Sequence, residues 1–168
     1  MTKNRRLSVL ASAFAAAAVV LAASSANADI DKKALKQLRG TILVSADELP
    51  PIDGAGVTVQ SLKKAHQTTQ KSVMSGDIAT WKFYFVAFLK KKPGVTQLSF
   101  DFYTTDKRKL FVANKRLTGI DRSLTLLSSM IEITEDDGLT RGKTYTVKLT
   151  ATKGKREVVL ATTKLSMQ

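Results

Sequence analysis

The chain has 168 residues, no cysteine, one histidine, and 27 lysines and arginines against 14 acids, a net charge of +13 at pH 7. That composition excludes disulfides, a thiol nucleophile, a lipid-modified cysteine and any zinc site with cysteine ligands. It points instead to anionic partners, or to charge carried for solubility.

The first 28 residues arrange charge, apolar core and small residues in the layout of a cleaved bacterial export signal. Lys3, Arg5 and Arg6 open it, Leu7 to Ala23 is apolar apart from Ser8 and Ser12, and Ala26-Asn27-Ala28 closes it. Asn4-Arg5-Arg6-Leu7-Ser8 carries the paired arginines of a twin-arginine signal, but the residues after the pair fit the general secretory route better. An uncut membrane anchor is the competing reading, since the run is only about long enough to span a bilayer. Cleavage after Ala28 removes three cations and no acid, and leaves 140 residues from Asp29 with a charge of +10. No later apolar run is long enough to cross a membrane. The expected product is periplasmic or secreted, without a transmembrane anchor once cleaved, and large enough for one domain with a single core.

Residues 29–39 hold Ile30, Ala34, Leu35 and Leu38 at roughly helical spacing, which predicts an N-terminal tail or a short helix. Residues 40–168 read as one β domain. Gly40 to Ser45 predicts a first strand, stopped by Pro50-Pro51 and Asp53-Gly54-Ala55-Gly56. Val57 to Leu62 is expected to resume that edge, and polar Lys63 to Gly76 to form a long loop or short helix. Trp81, Phe83, Phe85, Ala87 and Leu89 share one face of the next strand. Tyr84, Val86 and Phe88 share the other, so this strand is expected to be central and covered on both sides. Lys90-Lys91-Lys92-Pro93-Gly94 turns the chain, and Leu98, Phe100 and Phe102 alternate with Gln97, Ser99 and Asp101 in a half-buried strand. After a turn at Thr105-Asp106-Lys107-Arg108, Lys109 to Val112 is expected to pair back. Leu124 to Thr134 is a longer strand, and Tyr145, Val147 and Leu149 then alternate with Thr144, Thr146 and Lys148. Lys153-Gly154-Lys155 is a hairpin turn into a last strand, Glu157 to Met167. About seven or eight closely spaced antiparallel strands, with no long helical pattern between them, predict an all-β fold, a Greek-key sandwich or a barrel.

The run Leu139-Thr140-Arg141-Gly142-Lys143-Thr144-Tyr145, leading into that alternating strand, resembles the tyrosine corner of immunoglobulin-like and fibronectin type III domains. Trp81 resembles their buried tryptophan. The resemblance implies a Greek-key β-sandwich in which the Tyr145 hydroxyl bonds back to the backbone. It implies no activity, because such sandwiches mostly serve as scaffolds for binding loops.

Candidates for chemistry are few. His66 would have to serve any serine–histidine–acid site, yet Lys64-Ala65-His66-Gln67-Thr68 has no nucleophile-elbow glycines and reads as an exposed loop. One histidine without cysteine makes a zinc site unexpected. Glu132, Glu135, Asp136 and Asp137 form the acidic cluster, and the Asp136-Asp137-Gly138 loop could offer oxygens to calcium or simply make a turn. Phosphate loops and dinucleotide fingerprints are missing, and nothing singles out a carboxylate pair for glycoside hydrolysis. No catalytic residue, metal or cofactor is therefore expected.

The basic residues say more once placed on a Greek key, whose loops alternate between two ends. Turns at 90–94, 115–122 and 153–156 should then share one end, gathering Lys90, Lys91, Lys92, Lys115, Arg116, Arg122, Lys153, Lys155 and Arg156 beside Asp121. The acidic loop and Lys107, Arg108 and Lys109 should occupy the other end. Such a positive end suits a polyanion: acidic polysaccharide, lipopolysaccharide or another envelope component. Its tips lack aromatics, which disfavours stacking on single-stranded nucleic acid. The competing readings are lysines held at wet hairpin tips, an envelope module pairing with a protein partner through a strand edge, and a barrel holding an apolar ligand near Tyr84, Val86, Phe88 and Met130.

Overall fold

A computed structural model describes residues 32–49 and 58–168. The expected export signal, residues 29–31 and the corner from Pro50 to Gly56 lie outside them. The described residues are predominantly β, as the alternation predicts. A helix α1 (Lys32–Leu38) leads into β1 (Ile42–Ser45), and a second helix α2 (Val59–Ala65) precedes β2 (Thr69–Gln70) and β3 (Val73–Ser75). The longer strands follow: β4 (Ile78–Phe88), β5 (Gln97–Thr104), β6 (Phe111–Thr118), β7 (Leu126–Thr134), β8 (Lys143–Lys153) and β9 (Arg156–Met167).

Among the described residues these strands make two sheets. In the smaller one β4 is central, with β7 antiparallel along one edge and β1 and β3 antiparallel on opposite halves of the other. The larger runs β2-β9-β8-β5-β6, antiparallel except where β2 lies parallel to β9. Apolar residues at every second position explain both, because period-two alternation sends one set of side chains to each face. Trp81, Phe83 and Phe85 of β4 meet Phe100 and Phe102 of β5 across the interior. The Phe85 and Phe100 rings lie 5.0 Å apart and Phe83 and Phe100 6.3 Å, both tilted. These aromatics are fully buried, and Trp81 satisfies its indole N–H on the Gln168 carbonyl at 3.1 Å.

β4 is covered on its other face as well. Val86 and Phe88 join Leu43 of β1 and Leu38, Leu49 and Leu62 in a second apolar cluster, with Leu35, Val59 and Leu126 packed on it. The two short helices thus act as a lid over the outer face of the smaller sheet. Residues considered for an apolar cavity, Val86 and Phe88, are packed beneath this lid, 0% and 1% exposed.

Three local expectations need correction. Where Val57 to Leu62 is expected to resume a strand, the described part, from Thr58, is helical over Val59–Ala65, with Thr58 and Ser61 forming a reciprocal cap. The Ser61 N–H donates to Thr58 Oγ1 at 3.1 Å, and the Thr58 N–H donates to Ser61 Oγ at 3.0 Å. Within the expected loop Lys63–Gly76 the chain also makes β2 and β3. The strand expected at Lys109–Val112 instead spans Phe111–Thr118, displaced by a bulge between Phe102 and Tyr103 and by the left-handed Lys109, φ 49°.

Between β7 and β8 the chain crosses from one sheet to the other. There Tyr145, 4% exposed, accepts the Thr140 backbone N–H on its hydroxyl at 2.9 Å, and its ring stands edge-on to Phe102. The hydroxyl ties the turn while the ring caps the core.

Candidate anion-binding end

Backbone bonds draw three connections together at one end of the molecule. The Gly94 N–H donates to the Arg122 carbonyl at 3.0 Å, and the Ile120 N–H to the Thr96 carbonyl at 3.0 Å, joining the β4–β5 and β6–β7 loops. Lys90 N–H donates to Leu160 O at 2.9 Å, which fastens the same loop to β9. Lys153, at the β8–β9 turn, lays its ammonium over Gly94, where a Cβ would stand 2.8 Å from Nζ. Lys90, Lys91, Lys92, Arg122, Lys153, Lys155 and Arg156 therefore share one end, and all are exposed.

Lys115 and Arg116 do not lie in a turn, as expected, but within β6. Arg116 pairs in register with Ser99 on the outer face of the larger sheet, and Lys115 pairs with Phe100 on the side facing the interior. Lys115 is still exposed, because β6 is the last strand of its sheet and the smaller sheet does not cover it there. Both residues flank the basic end rather than cap it. Asp121 sits among the cations; its carboxyl is held below the usual 3.8, first by the Ser123 N–H, then by the Ser123 hydroxyl, with the Lys92 charge adding to both.

Sequence reasoning missed two cations that belong here, Lys36 and Arg39. Beyond the Ile42–Ala87 pair the Gly40 N–H donates to the Phe88 carbonyl and the Phe88 N–H to the Thr41 carbonyl, which brings Arg39 beside Lys90. The Arg39 Nε donates to the Lys90 carbonyl at 2.8 Å, and a terminal guanidinium nitrogen donates to the same oxygen. Gly40, at φ +83°, lets the chain turn from α1 into β1 directly under the Lys90 side chain; a Cβ there would fall 2.5 Å from Lys90 Cε. Between α1 and the β4–β5 loop a groove of about 310 Å³ opens. Leu35, Phe88 and Leu89 form its floor, and Lys36, Arg39, Lys90, Lys91, Lys92 and Thr125 its walls.

At the opposite end the acidic loop is engaged in structure. Glu135 pairs with Arg141 at 3.2 Å and accepts the Ala79 N–H at 3.3 Å, while Asp137 accepts the Thr134 N–H at 2.9 Å. Among the described residues no group of three or more acids and histidine stands close enough to hold a metal ion. His66 is not a loose loop residue either. It caps the C-terminus of α2, and its Nδ1 accepts the Val44 N–H at 2.9 Å, closing the open edge of β1.

One polar group is more deeply buried than its alternating strand suggests. Asp101, 4% exposed on the outer face of the larger sheet, accepts Thr150 Oγ1 at 2.7 Å and the Ser99 hydroxyl. Beside it the Lys148 ammonium lies 3.8 Å from the Tyr103 ring centroid, and the Tyr103 phenol is pushed above its usual 10.0 by burial, then by Glu157 and Asp101. These groups satisfy one another and offer no open chemistry.

Comparison with protein-family models, with curated proteins and with solved structures returned no match.

Proposed function

We propose that the chain is an exported, non-enzymatic binding protein that uses its basic loop end to engage an anionic envelope or extracellular polymer, either acidic polysaccharide or lipopolysaccharide. The observation that carries this reading is the convergence of lysines and arginines from three loops distant in sequence onto one exposed end. Counterion release from a polymer bound there would supply affinity without a deep pocket. Residues 1–28 support export, to the periplasm or beyond.

We read the scaffold as an immunoglobulin-like Greek-key sandwich. β1-β4-β7 would match strands A-B-E, and β9-β8-β5 strands G-F-C, with Tyr145 at the start of F. The three basic connections would then correspond to loops clustered at one end of the sandwich, where such scaffolds commonly bind.

The test is sedimentation of the purified protein with an acidic polysaccharide and with isolated envelope over a salt series. A variant carrying K91E, K92E, K153E and K155E runs in parallel. Binding should weaken steeply between about 50 and 200 mM salt, and the variant should lose it. Binding indifferent to both salt and charge reversal would overturn the reading.

A second reading draws on β6, which ends its sheet and opens on the exposed Phe111 directly after the exposed Leu110, 55% and 54% accessible. A protein partner adding a strand there would bind in high salt. Its signature is association lost in L110D/F111D and kept in the lysine variant.

A further inference from the structure

The groove beside α1 combines two features that a polymer-binding surface does not need together. Five cations from two segments some 50 residues apart in the chain, Lys36 and Arg39 against Lys90, Lys91 and Lys92, face one concavity, the separation matching the Arg39–Lys90 bond. Among the described residues none of the five stands within salt-bridge distance of a carboxylate. Below them the floor is apolar, with Leu35 half-buried and Phe88 and Leu89 belonging to the packed interior. Like charges gathered over an apolar floor repel one another, and an anion bound among them removes that cost. Solvent-exposed lysines at hairpin tips need neither concavity nor apolar floor.

From this we propose that the groove is a specific site for a single-chain anionic amphiphile: a phosphate headgroup held by Lys36 and Lys90–Lys92, with the first part of its acyl chain lying on Leu35 and along the aliphatic stems of the lysines. Phosphate fits better than carboxylate, because it carries roughly two negative charges and three acceptor oxygens to share among the cations. The volume, about 310 Å³, is at the small end of ligand pockets, so the site takes a headgroup and a short stretch of chain rather than a whole lipid. Arg39 is a positioning residue. Its guanidinium is committed to the Lys90 carbonyl and sets where the lysine loop stands. The inference rests on the reading of this end as an anion-binding surface, and adds a ligand class to it.

The experiment is a titration of the ¹⁵N-labelled full chain with monododecyl phosphate below its micelle concentration, beside inorganic phosphate and the neutral dodecyl maltoside. Saturable one-to-one shifts are expected in the amides of 36–39, 89–92 and 125. Dodecyl phosphate should bind at least about ten-fold more tightly than either control, since phosphate lacks the chain and the maltoside lacks the charge. K36E/K91E should weaken it by about ten-fold or more, and K153E/K155E, outside the groove, should leave it within about two-fold. Inorganic phosphate binding as tightly would show the floor unused, the maltoside binding as tightly would show the cations unused, and shifts confined to 153–156 would place the site elsewhere. Each of these overturns the proposal. The same variants tested on acidic polysaccharide separate the two readings. Polysaccharide binding without dodecyl phosphate binding removes the groove site alone, and the reverse removes the polymer reading alone.

Discussion

Tyr145 is almost wholly buried, yet its hydroxyl reaches the turn where the chain passes between the sheets and accepts the Thr140 N–H. Replacing it with Phe keeps the ring against Phe102 and removes one hydrogen bond. Tyr145→Phe should lower unfolding free energy by about 1 kcal/mol with the urea m-value unchanged, while Tyr145→Ala should cost about 3–5 kcal/mol by also emptying the core. Asp121 makes a different kind of claim. Its carboxyl is fully exposed, so what holds it below 3.8 is hydrogen bonding from Ser123 rather than burial. A carboxylate whose folded pKa is depressed lends its stabilisation above the unfolded value and loses it as pH falls through the folded one. The midpoint read from ¹³C carboxyl shifts should therefore lie below 3.8. Ser123→Ala should raise it only partway, because the backbone N–H, the larger cause, remains. A midpoint at 3.8 in the native chain would show that the loop does not hold this geometry in solution.

At the scale of elements, β4, β5 and β8 were legible because each repeats apolar residues at period two, and that period decides which face is buried, while β9 was legible from the hairpin turn at Lys153-Gly154-Lys155. α2 was not. Its cap uses Ser61 where a glutamate or glutamine gives the clearer signal, and it presents only Leu62 as a fully buried anchor. The grouping of three basic loops could be read from strand order alone. The addition of Lys36 and Arg39 could not, since it depends on the register of β1 against β4, which pairs residues 39 to 45 apart and leaves no trace in local pattern. Lys115 was assigned to a turn because β6 alternates weakly, with Ala113 and Leu117 its only well-buried residues. Its observed position suggests what it does. A charge on the interior-facing side of an edge strand opposes pairing with a second copy. Lys115→Val should fold, and should raise the weight-average mass in light scattering as concentration increases. A variant that stays monomeric at high concentration would remove that role.

Across the whole molecule two apolar clusters share one strand, β4, and their unequal sizes imply unequal stability. The larger joins both sheets through Phe83, Phe85, Phe100 and Phe102, with Phe100 touching the other three rings. The smaller holds α1 and α2 to the outer face of β4 and its neighbour β1, which gives it Leu43. Phe100→Ala should cost about 3–5 kcal/mol and lower the protection of every slowly exchanging amide, because it weakens what holds the sheets together. Leu62→Ala should cost about 2 kcal/mol, near the lower end for such a truncation, since the thin helical lid can relax around the gap. Its effect on hydrogen exchange should be local: faster exchange in 59–66 and 42–45, with β5, β8 and β9 unchanged. If both substitutions accelerate exchange uniformly, the lid and the sheets form one cooperative unit and the two clusters are distinct only in geometry. If the lid opens separately, the groove bordered by α1 belongs to the less stable part of the fold. A ligand bound only to the closed groove would then slow exchange in 35–39 and 42–45 in proportion to its occupancy, which links the local stability of the lid to the anionic site it helps to build.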